Sequence, residues 1–389
     1  MELSNSEISY FSNNTHLDER FHEAVQFFKK RSPVIFVSQH YRFWEEHGFV
    51  QQSLARTLTD AGVPVIWFDG ADWRKSQSVQ YWQSPLLKIR QLPALPLRRF
   101  SILDSLNSSF QLKTLKKVLV SGEKPFLWVQ SGLDERVAEQ LPYVDVFSVF
   151  DDPYIHSPDG ELSKKSSLII LQNDFARSIF SKQHPEKTVV LYPPMDIAQS
   201  SFTGNNHFRL PEGFPRKVMG YIGSFFSQGF DLVMFEDFMR SLPDWGFLLC
   251  GRTDKVGLNK INRWTKYKNF LHLPWIPRSQ VGAVWQSLSL NLMLYRPEPT
   301  SHGAFPVKFL EALFYGVPSV STAVPKTSSL GKTIPQSSFP RELKILAVQQ
   351  ASRAKLPFDS LFERFAIEMN PKLHLIRVSD FLRLKHHNS

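Results

Sequence analysis

The 389-residue sequence holds one cysteine, Cys250, so no disulfide can form within the chain and no cysteine-based zinc site can be built. It lacks any apolar run of the roughly 18–20 residues that a membrane-spanning helix needs. The opening MELSNSEISYFSNN is polar, without the basic and apolar segments of a secretory leader, and the chain is expected to be cytoplasmic. Neither a G-x-G-x-x-G fingerprint nor a G-x-S-x-G elbow occurs, which argues against nicotinamide or flavin chemistry and against a Ser–His–Asp hydrolase. No basic–aromatic module points to nucleic acid, and no repeat of 20–50 residues is visible. Acids are in deficit, 36 against 46 Lys and Arg, and the net charge of +10 calls for an anionic partner.

Hydrophobic content of 42% with 21% charged residues is that of a globular protein, and 33 Phe and 9 Trp suit large buried cores. The length suits two domains of about 150–200 residues each. Residues 17–30, LDERFHEAVQFFKK, space Leu17, Phe21, Ala24, Val25 and Phe28 at helical period, so residues 1–32 form a helical extension. A first series of apolar strands and helices then runs from PVIFVS (33–38) to TVVLY (188–192). Residues 195–216 are polar and rich in Gly and Pro, and read as a hinge. A second series runs from KVMGYIG (217–223) to VPSVS (317–321). Continuous apolar strands imply parallel sheets covered on both faces. The expectation is an α/β protein with two doubly wound, Rossmann-like domains, 33–200 and 201–335, facing a cleft. A helical tail, 336–389, would follow, with amphipathic stretches at 357–369 and 378–385.

Between 86 and 120 lie Lys88, Arg90, Arg98, Arg99, Lys113, Lys116 and Lys117 against one acid, Asp104, mixed with leucines such as Leu86, Leu92 and Leu95. That mixture suits either peripheral contact with an anionic membrane, at its inner face, or a solvated basic face over a helix pair.

In doubly wound sheets ligands bind beyond the carboxyl ends of the strands. FPVKFLEALFYGVPSV (305–320) places Lys308 and Glu311 on one side of a helix whose first turn begins near Pro306. Unpaired amides near Ala304–Lys308, the positive helix end and the Lys308 charge would attract a phosphate, while Glu311 would accept bonds from ribose hydroxyls. The plain alternative is a Lys–Glu surface pair. After KVMGYI, Gly223 and Ser224 would let backbone approach a pyrophosphate, or form an ordinary turn. LCGRTD (249–254) offers Arg252, and HLPWIPRSQV (272–281) offers Trp275 and backbone near Ile276 for a nucleobase unless Trp275 is core. In the first series VFDDPYIH (149–156) sets Asp151 and Asp152 after a strand, to orient a hydroxyl, act as a base or cap the next segment. No companion ligands for a metal are evident there. SQHYRFWEEHG (38–48) adds His40, Arg42, Glu45 and His47.

Taken in order, MGYIGSF, FLLCG, LPWIPRSQVGAVWQSLSLNLMLYR and above all PVKFLEALFYGVPSVST resemble the retaining GT-B glycosyltransferases of family four. Within it the likeness is to bacterial polysaccharide enzymes of the teichuronic-acid type, over roughly residues 33–330. VFDDPYIH, SSLIILQNDFARSIFSK and VVLYPPMD fall where that group has its acceptor-side loop, a strand–helix unit and the turn before the hinge. The resemblance implies a nucleotide-diphosphate-sugar donor held by the second domain, Glu311 on its ribose, a saccharide or lipid-linked acceptor against the first domain, and neither metal nor cofactor. Gly303 stands where the family has the first of two glutamates eight apart. Ser224 and Gln228 stand where it has Arg and Lys, and Asp151 or Asp152 where it has a histidine. The diphosphate would then fall to Lys308, Arg252, Arg296 and the amides around Gly303, Ala304 and Phe305. A sugar-binding protein without turnover and a sugar-nucleotide epimerase are the alternatives.

Overall fold

A computed structural model describes residues 14–37, 50–72, 84–93, 101–119, 124–130, 133–149, 157–195, 208–274, 276, 278–297, 305–328, 330, 333–352 and 365–387. The chain divides into two compact units, Met1–Asp196 with Ile367–Ser389, and Ile197–Ala366.

The first unit is built on seven parallel strands, β1 (Val34–Val37), β2 (Val65–Asp72), β3 (Leu87–Pro93), β4 (Phe126–Gln130), β5 (Val144–Val149), β6 (Ser166–Leu171) and β7 (Thr188–Val190), in the order β3-β2-β1-β4-β5-β6-β7. Its helices are α1 (Asn14–Lys29), α2 (Val50–Asp60), α3 (Ser101–Leu119), α4 (Glu135–Glu139), α5 (Glu161–Lys165) and α6 (Asp174–Phe180). The inner strands β1 and β4 read as apolar runs because both of their faces are covered. Val34 and Phe36 pack with Phe28, Trp67 and Trp128 on one side. Ile35 and Val37 pack with Phe68, Leu115 and Val129 on the other. Register places Phe36 between Trp67 and Trp128, each ring 5.3 Å away and stacked at 28°. Arg31, three residues before β1, makes a two-pronged bond to Asp145, at 2.7 and 2.8 Å, and Asp145 also accepts the Leu127 amide.

The second unit has five parallel strands, β8 (Val218–Ile222), β9 (Gly246–Cys250), β10 (Phe270–Leu273), β11 (Leu290–Met293) and β12 (Ser319–Ser321), in the order β10-β9-β8-β11-β12. Its helices are α7 (Leu232–Ser241), α8 (Lys255–Trp264), α9 (Arg278–Ser287), α10 (Val307–Phe314), α11 (Pro325–Ser328) and α12 (Pro340–Ala351). Chain order runs outward from β8 to β10 and then returns to β11, so the direction of winding reverses between β8 and β11. That is where a doubly wound sheet opens a crevice for ligand.

The helix α13 (Pro371–His387) follows the second unit in sequence yet belongs to the first. Leu373, Leu375, Ile376, Val378 and Leu382 are buried in the core that holds Trp128, and His374 stacks on the Trp128 ring at 6.0 Å. Ion pairs Arg20–Asp380 at 2.7 Å and Lys372–Asp18 at 2.6 Å tie it to α1. The separate tail expected over 336–389 is therefore corrected. α12 lies in the second unit and α13 in the first, because each carries apolar residues that only its own core covers. The extension expected at 1–32 likewise brings α1 into the first core. Among the described residues no helix is long and apolar enough to cross a membrane.

Candidate functional site

The turns after β8 and β9 are glycines for steric reasons. Gly223 has φ +152° and Gly251 φ +132°, a region that favours glycine. A Cβ on Gly251 would run into the Gly223 carbonyl oxygen, and one on Gly223 would lie 3.1 Å from both Lys308 Cε and the Tyr221 hydroxyl. The two turns are therefore pressed together, with the Lys308 side chain lying over Gly223. The Gly223 amide donates to the Cys250 carbonyl at 2.8 Å and the Gly251 amide to Leu273 at 3.0 Å.

Three loops are stitched together here. The Phe225 amide donates to the Arg252 carbonyl at 2.9 Å, and Thr253 Oγ1 returns a bond to the Phe225 carbonyl at 2.9 Å. Asp254 accepts from the Ser227 amide and hydroxyl, at 2.9 and 2.5 Å, while its other oxygen caps α8 through the Gly257 amide. The Asp231 amide donates to Leu294 at 2.7 Å and the Arg296 amide to Gly229 at 3.1 Å, which fastens the loop after β8 to the end of β11.

Lys308 and Glu311 stand on the first turns of α10, half-buried, with Nζ 2.7 Å from Glu311 Oε2. Asn291, buried on β11, approaches the Lys308 carbonyl at 3.4 Å and donates to Ser319 Oγ at 3.0 Å. Both charges are felt at the strand ends. Burial pushes the Cys250 thiol up to about 11, against the pull of the Lys308 charge. Burial pushes the Tyr221 hydroxyl up to about 12; a hydrogen bond from Tyr295 opposes this and the Glu311 charge adds to it. The site thus presents a cation and a carboxylate over a turn without side chains, backed by two buried tyrosines. Such a set can grip a phosphate and a diol.

Among the expected residues, Gly223, Lys308 and Glu311 come together, and Arg252 and Arg296 sit half-buried on the loops fastened beside them. Ser224 is exposed, and Phe305 is buried with its carbonyl accepting the Val307 amide at 2.8 Å. Ile276 packs against the core of Trp285 and Val284. Pro306 occupies the cap position and α10 begins at Val307, in keeping with a start near Pro306. One expectation is corrected. The amides of Val307 and Phe309 are turned to the carbonyls of Phe305 and Pro306, and Pro306 has none, so those amides are not open to an anion. Asp151, Asp152, His40, Arg42, Glu45, His47, Trp275, Gly303 and Ala304 lie outside the described residues. The sequence reading missed Tyr221 and Tyr295, whose placement inside apolar strand runs reads as core. It also missed the Ser227–Asp254 tie, for which the Asp at a helix start was the available signal. Among the described residues no group of three or more His, Cys, Asp or Glu side chains is placed to hold a metal ion.

Two parallel doubly wound units of this kind are the GT-B fold, and the chain matches glycosyltransferases of that fold along nearly its whole length. Sucrose-phosphate synthase from Thermosynechococcus elongatus superposes with a TM-score of 0.68 at 14% identity, covering 92% of this chain and 100% of that one. HepE from Anabaena, in complex with UDP and glucose, gives 0.56 at 12% identity, covering 92% and 99%. In sequence the chain is 29% identical over 121 residues to TuaH of Bacillus subtilis (strain 168), whose name assigns it to teichuronic acid biosynthesis as a glycosyltransferase. That match spans 30% of this chain and 29% of the relative. No family model matches the sequence.

Proposed function

We propose that the protein transfers a sugar from a nucleoside-diphosphate sugar to a saccharide or lipid-linked acceptor in polysaccharide or glycoconjugate synthesis, with retention at the anomeric carbon. The observation that carries this reading is Lys308 lying over Gly223 at the winding reversal, with Glu311 one turn further along α10. The bond from the anomeric carbon to the diphosphate oxygen breaks, and a bond to the acceptor oxygen forms on the same face. The acceptor's proton leaves with the released diphosphate. Charge grows on the departing oxygens, and Lys308, helped by Arg252 and Arg296, is set to meet it without a metal or cofactor. Glu311 holds the ribose hydroxyls. Asp151 or Asp152 orients the acceptor hydroxyl, with His40, Arg42 and His47 on the acceptor side. Support comes from the shared fold and from the UDP complex of HepE.

A thermal-shift screen of nucleoside diphosphates tests the donor site. Ligand at 100 times its dissociation constant stabilises a protein by about 2.7 kcal/mol, and the shift should vanish in Glu311→Ala. If no nucleoside diphosphate shifts the melt, the assignment is wrong. The 2.7 Å contact between Lys308 and Glu311 favours a second reading, binding without turnover, since each charge already satisfies the other. Slow hydrolysis of a labelled donor by the protein alone would exclude it.

A further inference from the structure

We infer that the outer face of α3, with the adjoining side of β3, is a docking surface for an anionic lipid bilayer. The structure changes which apolar residues of this basic stretch are available. Leu92, Leu112, Leu115, Val118 and Leu119 are buried against Ile66 and Phe68. Left outside are Leu106, 42% exposed, and Phe110, 45% exposed. The exposed Lys113, Lys116 and Lys117 follow them along the helix. At 3.6 residues per turn, Leu106, Phe110, Lys113 and Lys117 fall within an arc of about 60°. No acidic residue occurs from Ser105 to Leu119. Lys88 and Arg90 are exposed and stand four and two residues before the buried Leu92, so they lie on the same side of the sheet as Leu92, the side that α3 covers. Asp134, close to this helix through Ser108, is held by Arg136 at 3.0 Å.

A surface of two large apolar side chains followed within two turns by three lysines, with two further cations beside it, matches a membrane interface. The apolar pair enters the headgroup layer and the cations lie over the phosphates. A nucleic-acid groove would take up the cations and leave Leu106 with no counterpart. This surface belongs to the first unit and stands independently of the donor reading.

The test is co-sedimentation of the full chain with phosphatidylcholine vesicles, with and without phosphatidylglycerol. Binding is expected only to the anionic vesicles, falling as salt shortens the Debye length to about 8–10 Å. Each lysine near the surface contributes about fivefold in partitioning, so changing Lys113, Lys116 and Lys117 together to Gln should lower it about a hundredfold. The same three positions changed to Arg should retain it, which separates lost charge from lost fold. A fluorophore on Leu106→Cys, with the native Cys250 buried, should shift to the blue on anionic vesicles and not on neutral ones. No binding at low salt, equal binding to neutral vesicles, or undiminished binding by the Gln variant would overturn the inference. Tighter binding to an RNA oligonucleotide than to the vesicles would replace it with a nucleic-acid surface.

Discussion

At the scale of single residues, Gly223 and Lys308 make the sharpest case. Gly223→Ala adds a methyl 3.1 Å from Lys308 Cε at φ +152°. It should cost about 1–3 kcal/mol in denaturant unfolding and weaken nucleoside-diphosphate binding. Gly229→Ala, where a Cβ meets nothing within 4 Å, is the control and should do neither. Steady-state kinetics should show Lys308→Ala losing about 10²–10³ in kcat, and Glu311→Ala raising the donor KM about 10–100-fold. Unchanged constants in both would remove these residues from the reaction. His374 gives a pH signature. Burial, with the Arg377 charge beside it, pushes its imidazole from 6.5 down to about 3. Below pH 6.5 the unfolded chain takes a proton that the folded one refuses, so stability falls as pH drops toward 3, by about 2–3 kcal/mol at pH 4.5. Urea titrations across this range should show that loss in the parent and a flatter curve in His374→Phe. Lys308 and Glu311 were legible in the sequence because charge near the start of an apolar helix needs a reason. Their direct pairing stood only as the plain alternative, since residues three apart on a helix meet or diverge according to rotamer and neighbours.

Elements were legible where burial is two-sided. Within PVIFVS, FLWVQ and WGFLLCG, the residues Val34–Val37, Phe126–Gln130 and Gly246–Cys250 stand as β1, β4 and β9, and every one of them is buried. β3 escaped notice: LKIRQLP lies at the edge of its sheet, with Lys88, Ile89 and Arg90 exposed, and reads as a basic surface stretch. α13 was seen only in part, over 378–385. Its residues 373–376 are buried in succession, so no polar face marks the helical period there. The helix nonetheless fills part of its unit's core. Leu375→Ala should cost about 2–5 kcal/mol, and ending the chain at Asn370 should leave the first unit without a cooperative melt. A truncated protein that melts normally would show α13 to be an accessory.

On the scale of the whole molecule, two cores mean two cooperative units. Calorimetry should resolve two transitions, and a nucleoside diphosphate should raise the one belonging to Ile197–Ala366. A single transition that ligand does not move would contradict both the division and the donor assignment. The chain order has a further effect during translation. The 170 residues of Ile197–Ala366 leave the ribosome before α13 does, a delay of roughly 10–30 s at cellular elongation rates. Throughout it, the nascent first unit lacks the helix whose His374 stacks on Trp128 and whose leucines complete that core. That interval is when a chaperone has most to grip.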